Sequence, residues 1–551
     1  MGKGVAPVAA ALAAALLIVI GPAHADDVHC GQVLEASTTL AGDLLACAGD
    51  GLIVGAHGIT IDLNGHSLVG TGAGAGIRND GFDGVTVRNG TVETFLYGVQ
   101  LNPGTVGNVV GALALTTNKS AAVQLDGAAG NTIRGSTIES QANDGVVLVG
   151  GSGNSILGNT IGHSADRGIS VQGSSGNVFE SNRVTSSGDR GVVFEGSSGN
   201  WFEANTVSEN GDAGIGLLLG SDSNVVRGNT VSSNQDAAVL VTGSHDNRIE
   251  LNTVTQNGDA GVVLTDANES LILRNTISGS GDSGIYLEFS SSSVVRANDV
   301  RFNTGGVEVT SSNGNRVELN NASNTLGIGI ELQDALGNTV VHNVANGNET
   351  QGIHVEAQAE LEGGGNVIGC NTTNENKGDG IVVTTAAHTI EANIANLNDG
   401  WGIVAGLGNI DGGTNSASGN SELAQCFGVS CGAVPPECEV SPPPPPAPEP
   451  PPEPVPPPPA PLLVQPQASP PPSPPAPKVV RQCLIPNVKG RMLPGARRAI
   501  VRAGCRVGTV GSRYSKAGKG RVISQSPRAG RRVRLGFRVN VMLSKGVRPG
   551  L

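Results

Sequence analysis

Aromatic residues are scarce: 9 Phe, 3 Tyr and 2 Trp among 551 residues. A core without them must be built from small aliphatic side chains across a narrow space. Charge is scarce as well, at 15%, which excludes a disordered polyelectrolyte and a coiled coil. Beyond residue 25 no apolar run is long enough to span a bilayer. No Cys-x-x-Cys or Cys/His spacing of the zinc type occurs. Glycine, in contrast, is 82 of 551, about twice the usual share.

Residues 1–25 read as a secretory leader, with Lys3 at the start, an apolar run from Val5 to Ile20 and a small-x-small end at Ala23-His24-Ala25. The alternative is a membrane anchor, which the cleavage signal disfavours. No cysteine follows the run at that point, which argues against a lipid anchor. A secreted chain with no transmembrane segment after leader removal is expected, extracellular or wall-associated. Eight cysteines fit an oxidising compartment. Cys30 and Cys47 bracket a short N-terminal segment and Cys483 lies close to Cys505; Cys370, Cys426, Cys431 and Cys438 leave three pairings open.

Residues 441–477 contain 22 prolines in 37 positions, a polyproline II spacer that excludes helix and sheet. Residues 478–551 carry 19 Lys+Arg and no acid, whereas residues 26–440 carry 14 Lys+Arg against 45 Asp+Glu. The basic end implies a polyanionic partner. Outside a cell that partner is a cell-wall polymer rather than nucleic acid. The plainer alternative is that the charge serves solubility or pairs with the acidic body.

The central region repeats. Asn131, Asn154, Asn177, Asn200, Asn224 and Asn247 recur every 23 or 24 residues, and five positions later so do Asn159, Asn182, Asn205, Asn229, Asn252, Asn275 and Asn298. An apolar column keeps step through Ile169, Val192, Ile215, Val239, Val262 and Ile285, each opening a short alternating strand. This period is too short for most helical repeats and suits one coil of a parallel β-helix, with stacked Asn ladders and with Asn and Gly accepting the left-handed corners. About fifteen coils are expected between Leu63 and Asn409, ~4.8 Å apart.

These columns, with Ile61-Asp62-Leu63-Asn64-Gly65-His66 and Val85-Thr86-Val87-Arg88-Asn89-Gly90 as opening coils, resemble the right-handed parallel β-helix repeat families. Those include pectin-type polysaccharide enzymes, alginate epimerases and periplasmic proteins of copper-site maturation. The resemblance implies the fold over residues 50–420, and fold alone does not fix function. The epimerase Asp-Pro-His-Asp and the polygalacturonase Gly-His-Gly and Arg-Ile-Lys are missing. Only Lys119 and Lys377 lie in the body, so the strong base some lyases need is nearly absent. The expected organisation is a disulfide-tied cap at 26–57, the β-helix with a Cys-rich C-terminal cap at 58–440, the spacer, and a terminal module at 478–551.

Two features could carry chemistry. Asp166, Asp189, Asp212, Asp236, Asp259 and Asp282 form a column two positions before the strand glycine. Stacked carboxylates repel, and calcium held by Asp212, Asp236, Asp259 and Asp282 could relieve this. Alternatively each Asp caps its own turn, offset in part by Arg167 and Arg190. On the outward strand face, Glu308, Glu331 and His354 occupy equivalent positions of consecutive coils, with Tyr286 before them and Glu288 and Glu356 nearby. Adjacent carboxylates split their pKa values and suit acid and base roles; the bland alternative is a solvated polar face. An insertion, Ala357 to Gly365, could form a lip over this patch.

Near the C-terminus the segments Ile485-Pro486-Asn487-Val488-Lys489-Gly490, Ala496 to Gly504, Gly520 to Pro527 and Val539 to Gly546 resemble a PASTA domain over residues 483–546. The resemblance implies a small sheet with one packed helix, Cys483 and Cys505 tying strand to helix end, and association with peptidoglycan. The leading expectation is an exported envelope protein whose PASTA module targets peptidoglycan or an anionic wall polymer while the body binds carbohydrate or displays a surface. The alternative is a polysaccharide-processing hydrolase, lyase or epimerase using Glu308, Glu331 and His354. A metal-linked maturation factor is a third reading, which the lack of Cys/Met/His clusters disfavours.

Overall fold

The computed structural model describes residues 28–357 and 364–432 and parts of 482–545. The expected leader, six residues of the expected lip (358–363), Cys438 and the Pro-rich spacer lie outside the described residues. The chain divides into two units, Met1–Ser441 and Pro442–Leu551.

The first unit is a parallel β-solenoid. One coil runs through the strands Ile169–Gln172, Val178–Glu180 and Arg183–Thr185, and each pairs in parallel with its equivalents one repeat away, as in Ile169↔Val192, Val178↔Trp201 and Arg183↔Thr206. Two-residue corners between the second and third strands explain why the period stays near 23. The first of these three faces is a ladder of eighteen strands, from Gln32–Leu34 to Cys426–Phe427, or about seventeen turns. That exceeds the fifteen expected between Leu63 and Asn409. The difference arises because Gln32–Leu34 and Leu52–Val54, in the segment expected as a cap, already pair in this ladder, and Cys426–Phe427 adds a strand after Asn409.

The interior is a stack of buried Ile, Val and Leu, each contributing about 1.5–3 kcal/mol by leaving water. Four of the scarce aromatics, Phe95, Phe179, Phe194 and Phe202, are also fully buried. The Asn columns are ladders as expected: Asn229 Oδ1 accepts from the backbone N–H and the Nδ2 of Asn205. A third ladder, Asn210–Asn234–Asn257 and later Asn376–Asn398–Asn420, lines another corner. The left-handed corner residue is the one before the ladder Asn, for example Leu251 (φ 56°), Arg274 (φ 53°) and Leu319 (φ 58°). The Asn itself must turn inward to serve the ladder, so the corner falls to its predecessor, which points out.

Cys30 is bonded to Cys47, Cys426 to Cys431 and Cys483 to Cys505. Cys370 is disulfide-bonded too. In the second unit, Gln482–Leu484 pairs with Arg532–Arg534, and Arg538–Ser544 pairs with both Arg506–Arg513 and Val522–Ser526. Ala496 and Ile500 are helical and pack with Cys483, Ile485, Val488, Cys505, Val522, Val539 and Val541.

Candidate functional site

The outward positions of the first ladder are decided by strand alternation. Register places Val263, Tyr286, Glu308, Glu331, His354 and Val382 in one column, so Glu308, Glu331 and His354 are neighbours at ~4.8 Å per rung. Ser283 Oγ donates to Glu308 Oε2 at 2.9 Å and Thr310 Oγ1 to Glu308 Oε1 at 3.3 Å. His354 Nδ1 lies 3.7 Å from Glu331 Oε1 and has no hydrogen-bond partner among the described residues. Gln333 Nε2 donates to Glu356 Oε1 at 2.9 Å, which ties that carboxylate to the neighbouring rung.

The Asp column flanks the same face at the entry of each strand. Arg190 is 9% exposed, pairs with Asp212 at 3.2 Å and shares the space above Gly216 with Val193. The turns that carry the Asp column form a separate lip beside the outward column: Val193 and Val263 are buried, and Tyr286 is 4% exposed, packed with Ala237, Ala260 and Val263. Burial is the largest influence on Asp212 and Asp236. It pushes Asp236 up to about 8, with the Asp212 and Asp259 charges adding to it. Burial also opposes ionisation of Asp212, yet the Arg190 charge and hydrogen bonds from Asp236 and Asp189 hold Asp212 below its ordinary value. Protonated Asp236 donates to Asp212, so the column lowers its own repulsion by sharing a proton. Asp144, at the start of the lip, is pushed up to about 6 by burial. Among the described residues no group of three or more His, Cys, Asp or Glu side chains is placed to hold a metal ion.

The column stops after Asp282. Its next positions are Thr304, Gly327 and Thr350, and the smaller side chains uncover the strand face. A cavity of about 320 Å³ opens there, lined by Asp282, Ser283, Thr304, Glu308, Glu331 and Gln351 among others. It thus takes in two of the three expected catalytic residues, with His354 one rung further on and one of the expected metal ligands, Asp282, at its edge. Tyr286, Glu288 and Glu356 do not line it. The insertion leaves the C-terminal end of strand Ile353–Glu356, whereas the cavity lies at the entry end. Thr304, Thr350 and Gln351 were missed in the sequence; the signal was the break in the Asp column. Three carboxylates, three hydroxyls and an amide around one cavity suit hydrogen bonding to a polyol, and the Glu pair suits proton transfer.

A three-sided parallel solenoid with Asn ladders defines a β-helix protein. The chain matches the family described as "Right handed beta helix region" at residues 74–231 and 216–363, and it belongs to that family. Residues 484–545 match the PASTA domain. No curated protein matches the chain. Among solved structures it is similar to the Dettilon tailspike protein, at 16% identity over 56% of this chain and 60% of that one, TM-score 0.34. It is similar to the mannuronan C-5 epimerase AlgE4 A-module of Azotobacter vinelandii, at 14% identity over 73% and 88%, TM-score 0.28. A third is the alginate lyase of Paenibacillus sp. str. FPU-7, at 17% identity over 48% and 90%, TM-score 0.28. The disulfides of the present chain and its PASTA domain fit an envelope or extracellular protein. Among the described residues no helix is long and apolar enough to cross a membrane.

Proposed function

We propose that this is an exported envelope protein whose PASTA unit attaches it to peptidoglycan or an anionic wall polymer, while its β-helix body binds carbohydrate over Glu308 and Glu331. The observation that carries the reading is the polar cavity that opens where the Asp column ends. With few aromatics to stack on sugar rings, such a site must work through hydrogen bonds, and its lining is hydroxyl, amide and carboxylate. A polysaccharide-processing role is the second reading. It is favoured by the unpartnered His354 Nδ1 facing Glu331 and by a Glu308–Glu331 rung spacing close to the ~5–5.5 Å of retaining glycosidases. The full chain would be titrated with acidic and neutral polysaccharides, with and without calcium. Saturable binding weakened about tenfold in Glu308→Gln or Glu331→Gln, without product formation, supports the binding reading. Reducing-end release or unsaturated product lost in the same variants supports the enzyme. Neither binding nor turnover removes both.

A further inference from the structure

A second cavity, of about 520 Å³, lies on another face of the solenoid, lined by Thr86, Arg88, Gly111, Arg134, Leu157 and Gly158 among others. The third residue of each strand in that ladder points outward, and register stacks Asp62, Arg88, Gly111, Arg134, Leu157 and Glu180. Other arginines of this column face a carboxylate on an adjoining rung. Arg88 Nε meets Asp62 at 2.9 Å, Arg227 meets Glu203 at 3.7 Å and Glu250 at 3.4 Å, and Arg296 meets Glu318 at 2.6 Å.

Arg134 is different. Its rung neighbours are Gly111 and Leu157, neither of which can pair with it. It is exposed, and no carboxylate among the described residues forms an ion pair with it. Its side chain lies over Gly111: a Cβ there would meet Arg134 Cγ at 3.2 Å and Nε at 3.8 Å. Arg134 therefore leans across the rung without a side chain, toward Arg88, and both arginines border one cavity. Val109 and Leu157 give the lining an apolar part, while Ala112, Gly135 and Gly158 keep the neighbouring corner free of bulk.

In a body with 45 acids and 14 bases, an arginine left unpaired beside a second one is a local positive site. Guanidinium groups bind planar carboxylates bidentately, and two of them, borne on strands two rungs or ~9.6 Å apart, can engage acidic groups of one polymer while the apolar lining meets ring C–H groups. We propose that this cavity binds a carboxylated glycan segment, with uronate groups on Arg134 and Arg88. A phosphate-bearing wall polymer shares the anion chemistry, so the test separates the two. The site lies on a different ladder from Glu308 and does not depend on the function proposed for that cavity.

Full-length protein would be modified with the arginine reagent phenylglyoxal, alone and with trigalacturonate, its methyl ester or glycerol phosphate, and Arg134 labelling read by mass spectrometry. Trigalacturonate should slow Arg134 labelling about tenfold and its methyl ester should not. Glu308→Gln should keep the protection. Gly111→Leu, which fills the rung, should lose it. Arg134→Lys, which keeps the charge without the fork, should weaken calorimetric binding of trigalacturonate about tenfold, a reading that stands even if Gly111→Leu fails to fold. Protection by glycerol phosphate equal to or above that by trigalacturonate overturns the carboxylate assignment. Protection by neither, or equal binding by Arg134→Lys, overturns the site.

Discussion

A ladder asparagine such as Asn229 closes four polar contacts. Asn229 accepts from the Asn205 N–H (2.8 Å) and Nδ2 (3.1 Å) and donates to the Phe202 carbonyl (2.9 Å) and Asn252 Oδ1 (3.0 Å). Asn229→Ala strands buried partners on both sides, at about 1–3 kcal/mol apiece before relaxation. We expect a loss of about 3–5 kcal/mol, seen in hydrogen exchange as lost protection in the adjacent coils while distant coils keep theirs, because a solenoid is stabilised by nearest neighbours. Leu319, a left-handed non-glycine corner, should gain up to about 1 kcal/mol on conversion to Asn, measured by urea unfolding. Asp236 sets a pH dependence. Its folded value of about 8 lies above the ordinary ~3.9, so between these values the folded chain holds a proton the unfolded chain has released. Stability therefore falls as pH rises from about 4 to about 8. Asp144 acts in the same direction up to about 6, and Asp212 acts the opposite way below about 4. Asp236→Asn should melt higher than the parent at pH 8, with the gap closing toward pH 4; an unchanged pH profile would contradict the shared proton.

At the scale of strand and turn, the cavity over Glu308 and Glu331 exists because two columns of the same coils change at different places. The outward strand column turns acidic at Glu308, and the lip loses its Asp after Asp282. Reinstating the lip should close the site without touching its carboxylates. The pair Thr304→Asp and Gly327→Asp is expected to weaken carbohydrate binding about tenfold or more while far-UV circular dichroism stays that of the parent. Binding unchanged in that double variant would mean that carbohydrate is held elsewhere. The same coupling explains why Tyr286 serves packing: it stands on the rung of Asp282, the last that carries the Asp, and is still packed with Ala260 and Val263.

Over the whole molecule, charge is partitioned, with 19 Lys+Arg and no acid after residue 477. Wall attachment through such a module must be salt-sensitive. The full chain should be retained on peptidoglycan sacculi at low salt and released near 1 M, where the screening length falls to ~3 Å, whereas a chain ending at Ser441 should pass through. Retention of both forms, or of neither, would remove the PASTA unit from that role. The length of the body was legible to within a few coils. The shortfall came from ends such as Gln32–Leu34, which pair in the ladder but carry none of the Asn pattern that marks the interior coils.

The amino-acid sequence determined the solenoid by itself, because ladder hydrogen bonds and apolar rungs demand the same residue at the same step of every coil, and periodicity is a property of sequence. Register followed from it, and with register the adjacency of Glu308, Glu331 and His354. Tertiary structure alone decided which outward residues meet solvent. Exposure depends on what the turns of neighbouring coils lay over a side chain: Arg190 lies over Gly216 beside the buried Val193, whereas Glu308 borders a cavity. It also decided that Arg134 leans across Gly111 toward Arg88 with no carboxylate among the described residues to receive it, since an ion pair needs a distance and a direction that spacing along the chain does not specify.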